Sequence, residues 1–120
     1  MKNILLSCAI FLSSLLLANS VETGHAKASL ITNLQDPNQE SFHIGVRLQM
    51  QDGWHTYWEN PGDSGSPFDA EWTTDEGVIV ENVQWPTPIT IPYPPLMTYG
   101  YEGDIVFPFQ VFRSQETNLK

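Results

Sequence analysis

Cysteine and basic residues are scarce in this sequence. Of the 120 residues only Cys8 is a cysteine, and 14 Asp and Glu outnumber 5 Lys and Arg, for a net charge of −9. A nucleic-acid partner is therefore disfavoured, because binding to phosphates requires a basic patch. Beyond Cys8 the chain can form no internal disulfide and no cysteine-based metal site, and it can do no thiol chemistry of its own.

A segment long enough to span a membrane is also missing. The apolar run Ile4–Leu17 follows Lys2 and covers about 14 residues, short of the roughly 20 that a bilayer helix needs. Small residues follow it, which is typical of a cleavable secretory signal. We predict a signal over residues 1–26, with a cleavage boundary between 20 and 28, and one secreted domain over 27–120 with no membrane span.

Helical periodicity is absent as well, and turn signals recur every 8 to 12 residues, as in an all-β sandwich. Phe42–Met50 alternates cleanly between apolar and polar residues, which predicts a half-buried strand. The turn Gln51-Asp52-Gly53 predicts an antiparallel pairing of that strand with Trp54–Glu59. Five further strands are predicted at 29–34, 68–73, 78–85 with a bulge near Glu81-Asn82, 96–101 and 105–112.

Five prolines lie in the ten residues Pro86–Pro95. Proline lacks the N–H that a sheet ladder needs. This segment is therefore predicted to be an extended loop along a sheet edge.

His55 is the strongest single candidate for chemistry. On the strand face that carries Tyr57 and Glu59 it could act as a ligand, a general base or a pH sensor, or its ring could simply be satisfied by loop backbone. A metal pair of His55 and His43 across the predicted hairpin would lack a third ligand. No metal site and no cofactor are predicted.

Carboxylates and aromatics offer two further readings. Glu59 and Asp63 could act as the acid and base of a glycosidase, but nothing in the sequence brings two carboxylates together. Asp63 lies in a turn and can bond the backbone of that turn. No catalytic residue is assigned. The aromatic residues could form a sugar-stacking platform or fill a sandwich core; they are Trp54, Tyr57, Trp58, Trp72 and Trp85.

The stretch Gly53–Gly65, GWHTYWENPGDSG, resembles a motif of the N-terminal periplasmic domain of the thiol:disulfide interchange protein DsbD family. It is most similar to the branch of the copper-sensitivity suppressor ScsB. Gln84–Pro88 and Leu96–Gly103 resemble the next two blocks of the family pattern, in the same order. The resemblance extends from about Ala28 to Phe112.

The resemblance implies an immunoglobulin-like antiparallel β-sandwich of about seven strands in the bacterial periplasm. In the complete proteins of this family a membrane domain and a thioredoxin-like domain follow, and a cysteine pair in each module relays electrons. This chain departs from that pattern because no cysteine follows Cys8. Two explanations stay open: a truncation at the C-terminus, or a stand-alone relative kept for binding.

The predicted function is a docking module without redox cysteines, in a thiol:disulfide interchange, cytochrome c biogenesis or copper tolerance context. Its family is that of protein-disulfide reductases, but the chain alone is not expected to be catalytic. The predicted partners are periplasmic exchange proteins, or the membrane and thioredoxin-like modules of a DsbD-type reductase. The predicted binding residues are His55, Tyr57, Glu59, Asn60, Asp63, Tyr99 and Tyr101. The alternative is a secreted carbohydrate- or copper-binding module that uses the aromatic face or His55.

Overall fold

The computed structural model describes residues 20–114, and every regular element in this part of the chain is a β-strand. The strands are β1 (Ser20–Glu22), β2 (Ala26–Thr32), β3 (Ser41–Met50), β4 (His55–Gly62), β5 (Val78–Val83), β6 (Ile89–Tyr93), β7 (Leu96–Glu102) and β8 (Asp104–Arg113). They form two antiparallel sheets, of order β1-β2-β3-β8-β5 and β4-β7-β6. The predicted sandwich is confirmed, with eight strands in place of seven.

Strand β8 supplies the centre of the core. Its alternate residues Phe107, Phe109 and Val111 are buried, as the sequence pattern predicts. It pairs with β3 from Ser41↔Phe112 to Gln49↔Asp104 and with β5 on its other side. The apolar face of β8 packs on the second sheet, where Phe107 contacts Tyr101.

An aromatic cluster joins the two sheets. Phe107 is fully buried, and the ring of Phe68 lies flat on it with centroids 3.9 Å apart. Tyr101 of β7 and Trp85 meet Phe107 edge-on, at 5.1 and 6.0 Å. These are the favourable stacked and T-shaped geometries of aromatic pairs, so the cluster adds specific contacts to its burial.

The predicted pairing of Trp54–Glu59 with β3 is wrong. The Asp-Gly turn does form, since Gly53 has a φ of 87° and Trp54 N donates to Gln51 O at 3.0 Å. The chain then crosses to the other sheet, where β4 pairs with β7. β3 already has β2 and β8 as its neighbours, so neither of its edges is open to β4.

The segment 68–73 was predicted as a strand, and this is wrong too. Its only ladder-like contacts are at its start, where Pro67 bridges Tyr57 and Phe68 N donates to Tyr57 O at 3.1 Å. Even so, Phe68, Ala70 and Trp72 pack against the core, as predicted. An extended chain presents alternate residues to one side even where no strand pairs with it.

The proline-rich segment contains a strand that was predicted as a loop. β6 pairs with β7 from Ile89↔Gly100 to Tyr93↔Leu96. It lies at the edge of its sheet, which is where proline is tolerated within a strand, and so the predicted edge position is correct. The peptide bond between Pro94 and Pro95, at the turn, is cis.

Two other local predictions can be compared with the structure. The bulge is confirmed, because the register of β5 on β8 shifts between Val80 and Val83. The first predicted strand begins earlier, at Ala26, and pairs with the unpredicted strand β1. Residues 1–19 of the predicted signal lie outside the described residues.

A bidentate ion pair connects β3 to the start of β8. Arg47 Nε donates to Asp104 Oδ1 at 2.9 Å, and its second nitrogen donates to Oδ2 at 2.6 Å. These hydrogen bonds, together with the positive charge of Arg47, lower the pKa of the Asp104 carboxyl below its ordinary value. Both side chains are exposed, so this is a surface interaction that salt weakens.

The substitution Phe107→Ala is expected to lower the free energy of unfolding by about 3–5 kcal/mol, because it leaves a cavity under the Phe68 ring. Phe112→Ala is the matched control on the same strand, since that side chain is 42 % exposed. We expect it to lose less than about 1 kcal/mol. Urea unfolding followed by Trp fluorescence measures both, and equal losses would contradict the central role of Phe107.

The substitution Asp104→Asn is expected to lower the urea midpoint slightly at neutral pH. A carboxylate with a lowered pKa stabilises the fold above its unfolded-state pKa, and this contribution disappears as the pH falls through the lowered value. The wild-type and variant midpoints should therefore converge as the pH falls through the lowered pKa of Asp104. Asp52→Asn, in the exposed turn, removes the same charge and is the control; it should leave the midpoint at neutral pH unchanged. A difference that persisted in acid would assign the stabilisation to something other than the ion pair.

Candidate functional site

His55 and Tyr57 lie two residues apart on the face of β4 that points away from the core. His55 Nε2 and the Tyr57 hydroxyl are 3.1 Å apart, and the two rings meet edge-on at 5.0 Å. The Nε2 atom of His55 is therefore bonded to a side chain and not to loop backbone. Across the ladder, His55 pairs with Glu102 and Tyr57 pairs with Gly100.

The loop after β4 folds over the Tyr57 ring. Gly65 has a φ of 101°, and a Cβ at this position would lie 2.4 Å from two atoms of that ring. Only glycine fits both the backbone angle and the close approach. The Tyr57 ring is thereby held between the sheet and its own loop.

Asp63 fastens this loop to β7. Its Oδ2 accepts a hydrogen bond from Met97 N at 2.8 Å, and its own backbone N donates to Met97 O at 3.0 Å. The sequence had suggested that this carboxylate bonds the backbone of its own turn. The structure shows instead that it bonds the neighbouring strand. Gly62 allows this approach, since a Cβ there would lie 2.6 Å from Met97 O.

Tyr99 and Tyr101 belong to the inner side of the second sheet. Tyr101 is 3 % exposed and donates its hydroxyl proton to Pro86 O at 2.8 Å. Burial raises its pKa, and the charge of Glu59 raises it further. Tyr99 meets Trp58 edge-on at 6.3 Å. The structure therefore places both tyrosines in the packing of the sandwich.

The seven predicted binding residues accordingly do not form one surface. His55 and Tyr57 share the outer face of β4, Asp63 anchors a loop, and the two tyrosines face inward. Glu59 and Asn60 are exposed near the end of β4, where its register on β7 shifts.

The geometry also tests the hypotheses of a metal site and of a sugar-binding surface. His43 and His55 lie on different sheets, so the pair across a hairpin does not exist. Within residues 20–114 no group of three or more His, Asp or Glu side chains is placed to hold a metal ion. Trp58, Trp72 and Trp85 pack against the core, while Trp54 is 46 % exposed and stacks on His25 at 3.6 Å. The aromatics do not share an exposed platform.

One exposed surface was missed at the sequence level. We call it the apolar tip: residues 93–97, which close the β6–β7 hairpin. Tyr93 is 74 % exposed, and Leu96 and Met97 are each 39 % exposed. A run of prolines flanked by Tyr and by Leu-Met was the available signal, but the sequence interpretation treated these residues as loop and core.

The sequence matches a known family model. The model for the N-terminal domain of the thiol:disulfide interchange protein DsbD matches residues 26–120. The chain belongs to the DsbD N-terminal domain family. The resemblance carried by the stretch Gly53–Gly65 is thereby confirmed, and so is the immunoglobulin-like sandwich that it implied.

A solved structure supports the same assignment. The N-terminal periplasmic domain of ScsB from Proteus mirabilis is 25 % identical to this DsbD-family chain, with a TM-score of 0.61. The likeness covers 78 % of this chain and 37 % of the ScsB chain. This chain therefore spans well under half of the ScsB domain. No protein with a curated function matches the sequence. Between residues 20 and 114 there is no helix able to cross a membrane.

Gly65→Ala is expected to destabilise the domain more than Gly53→Ala. Both glycines have positive φ, so each alanine adds backbone strain of about 1–3 kcal/mol. A Cβ at position 53 would have nothing within 4 Å, whereas a Cβ at position 65 would clash with the Tyr57 ring. Thermal unfolding of the two variants measures the difference. Equal losses would show that the loop does not depend on its contact with Tyr57.

Proposed function

We propose that this chain is a periplasmic docking module of a DsbD-type disulfide reductase system, and that it positions a partner without exchanging electrons itself. The family membership and the likeness to ScsB support a role in thiol:disulfide interchange. Thiol:disulfide exchange needs a cysteine pair, and no cysteine follows Cys8 in these 120 residues. The electrons must then pass through cysteines on other modules or chains.

The apolar tip is the observation that carries this proposal. Aromatic and Met side chains are enriched in protein interfaces, and a few such anchors supply most of the binding energy. The tip is also held rigidly from beneath: Asp63 bonds Met97 N, and Thr98 Oγ donates to Ile91 O at 2.8 Å. A rigid anchor loses little conformational entropy when it binds.

The proposed partner is the thioredoxin-like or membrane module of a DsbD-type reductase, or a periplasmic exchange protein that such a reductase serves. Secretion by the predicted signal over residues 1–26 would deliver the domain to that compartment. Cleavage after Ala26 would remove β1, which is an edge strand, and the first residue of β2. The copper tolerance context remains a prediction.

Leu96→Ser and Tyr93→Ser are expected to weaken binding of the thioredoxin-like domain of a DsbD-type reductase by about tenfold each, or about 1.4 kcal/mol. Each removes an exposed apolar anchor without touching the core. Ile79→Ser is the matched control, because Ile79 is 59 % exposed on the other sheet. Isothermal titration calorimetry measures the affinities. If the tip variants bind as tightly as wild type, the tip is not the docking surface.

A further inference from the structure

A cleft lies on the opposite sheet from the apolar tip, between the segment 68–72 and strand β5. Its volume is about 340 Å³, and its walls include the aromatic rings of Phe68, Trp72, Trp85 and Phe109. It shares no residue with the tip or with the predicted binding set. The function proposed above therefore makes no use of it.

The cleft is open because neither of its two sides is fully paired. β5 is the edge strand of its sheet, and its register on β8 skips from Val80 to Val83. Glu81 and Asn82 fall within that skip and turn to the rim. The opposite side is the extended segment that forms no ladder. The space between them is consequently not closed by backbone hydrogen bonds.

Aromatic contacts hold the walls of the cleft in place. Phe68 is stacked on Phe107 at 3.9 Å, and Trp85 meets Phe68 edge-on at 6.4 Å. Trp72 meets Phe109 edge-on at 5.0 Å. These contacts belong to the core, so the walls of the cleft are held in place by packing.

Trp72, in the wall of this cleft, carries an unsatisfied donor. Its Nε1–H is buried and has no acceptor among the described residues. A buried indole N–H normally finds a partner, and leaving it without one is unfavourable.

The rim of the cleft is acidic. Asp69 and Glu81 are exposed there, and no Lys or Arg is among the described residues that line it. Arg47 is paired with Asp104, and Arg113 donates to the carbonyl oxygens of Pro37 and Gln39, away from the cleft. Aromatic faces combined with carboxylates attract organic cations, and guanidinium groups in particular.

We propose that this cleft binds a basic side chain of an extended peptide. The guanidinium or ammonium group lies against the Trp72 and Trp85 rings and pairs with Asp69 and Glu81. The cleft is thus a second binding surface, for a basic peptide segment and separate from the docking function of the tip.

The test is a titration with a pair of peptides that differ only in charge. Acetyl-Gly-Arg-Gly-amide is compared with the same peptide carrying citrulline, which has the shape of arginine and no charge. The indole ¹H–¹⁵N resonances report the binding. We expect the arginine peptide to shift the Trp72 resonance and to bind about tenfold more tightly than the citrulline peptide, while the Trp54 resonance stays in place.

Substitutions of exposed carboxylates test the proposal without disturbing the core. Glu81→Gln should weaken binding of the arginine peptide roughly threefold or more. Glu76→Gln, in the exposed turn before β5, should leave the affinity unchanged. Leu96→Ser should also leave it unchanged, so failure here is distinguishable from failure of the docking proposal. Equal affinity of the two peptides, no effect of Glu81→Gln, or no shift at Trp72 would overturn the proposal.

Discussion

The contact between Phe68 and Phe107 is the interaction on which the rest of this structure depends. Phe107 belongs to the first sheet, Phe68 to the connection between the sheets, and Tyr101, which meets Phe107 edge-on, to the second sheet. The described part of the chain has neither a disulfide nor a helix to brace it. Burial of aromatic surface around one ring therefore sets the position of three otherwise separate pieces of backbone.

The family motif in Gly53–Gly65 serves this architecture more than it serves chemistry. His55 is satisfied by Tyr57, Gly65 covers the Tyr57 ring, and Asp63 fastens the loop to β7. A motif so rich in polar and aromatic residues suggests an active site, yet its side chains bond mainly to one another and to the neighbouring strand. The surfaces left available for binding, the apolar tip and the aromatic cleft, lie outside it.

The sequence predicts well what depends on local alternation. The buried face of β8 and the inward side chains of the segment 68–73 follow directly from the spacing of apolar residues. Pairing between distant strands does not: a turn such as Asp52-Gly53 reverses the chain without indicating which sheet the next strand joins. For the same reason Tyr101 was grouped with His55, although the structure places them on opposite faces. The cleft was also unpredictable, because it arises where a bulge and an unpaired segment happen to face each other.

The pairing of β3 with β8 has a consequence for how the domain is made. Ser41 pairs with Phe112, so β3 leaves the ribosome long before its partner has been synthesised. Until β8 has been synthesised, β3 lacks the neighbour that pairs with it from Ser41 to Gln49. Such long-range pairings form slowly, and the intermediates that precede them are prone to aggregation. Folding of the five-stranded sheet can therefore be completed only after β8 has been synthesised.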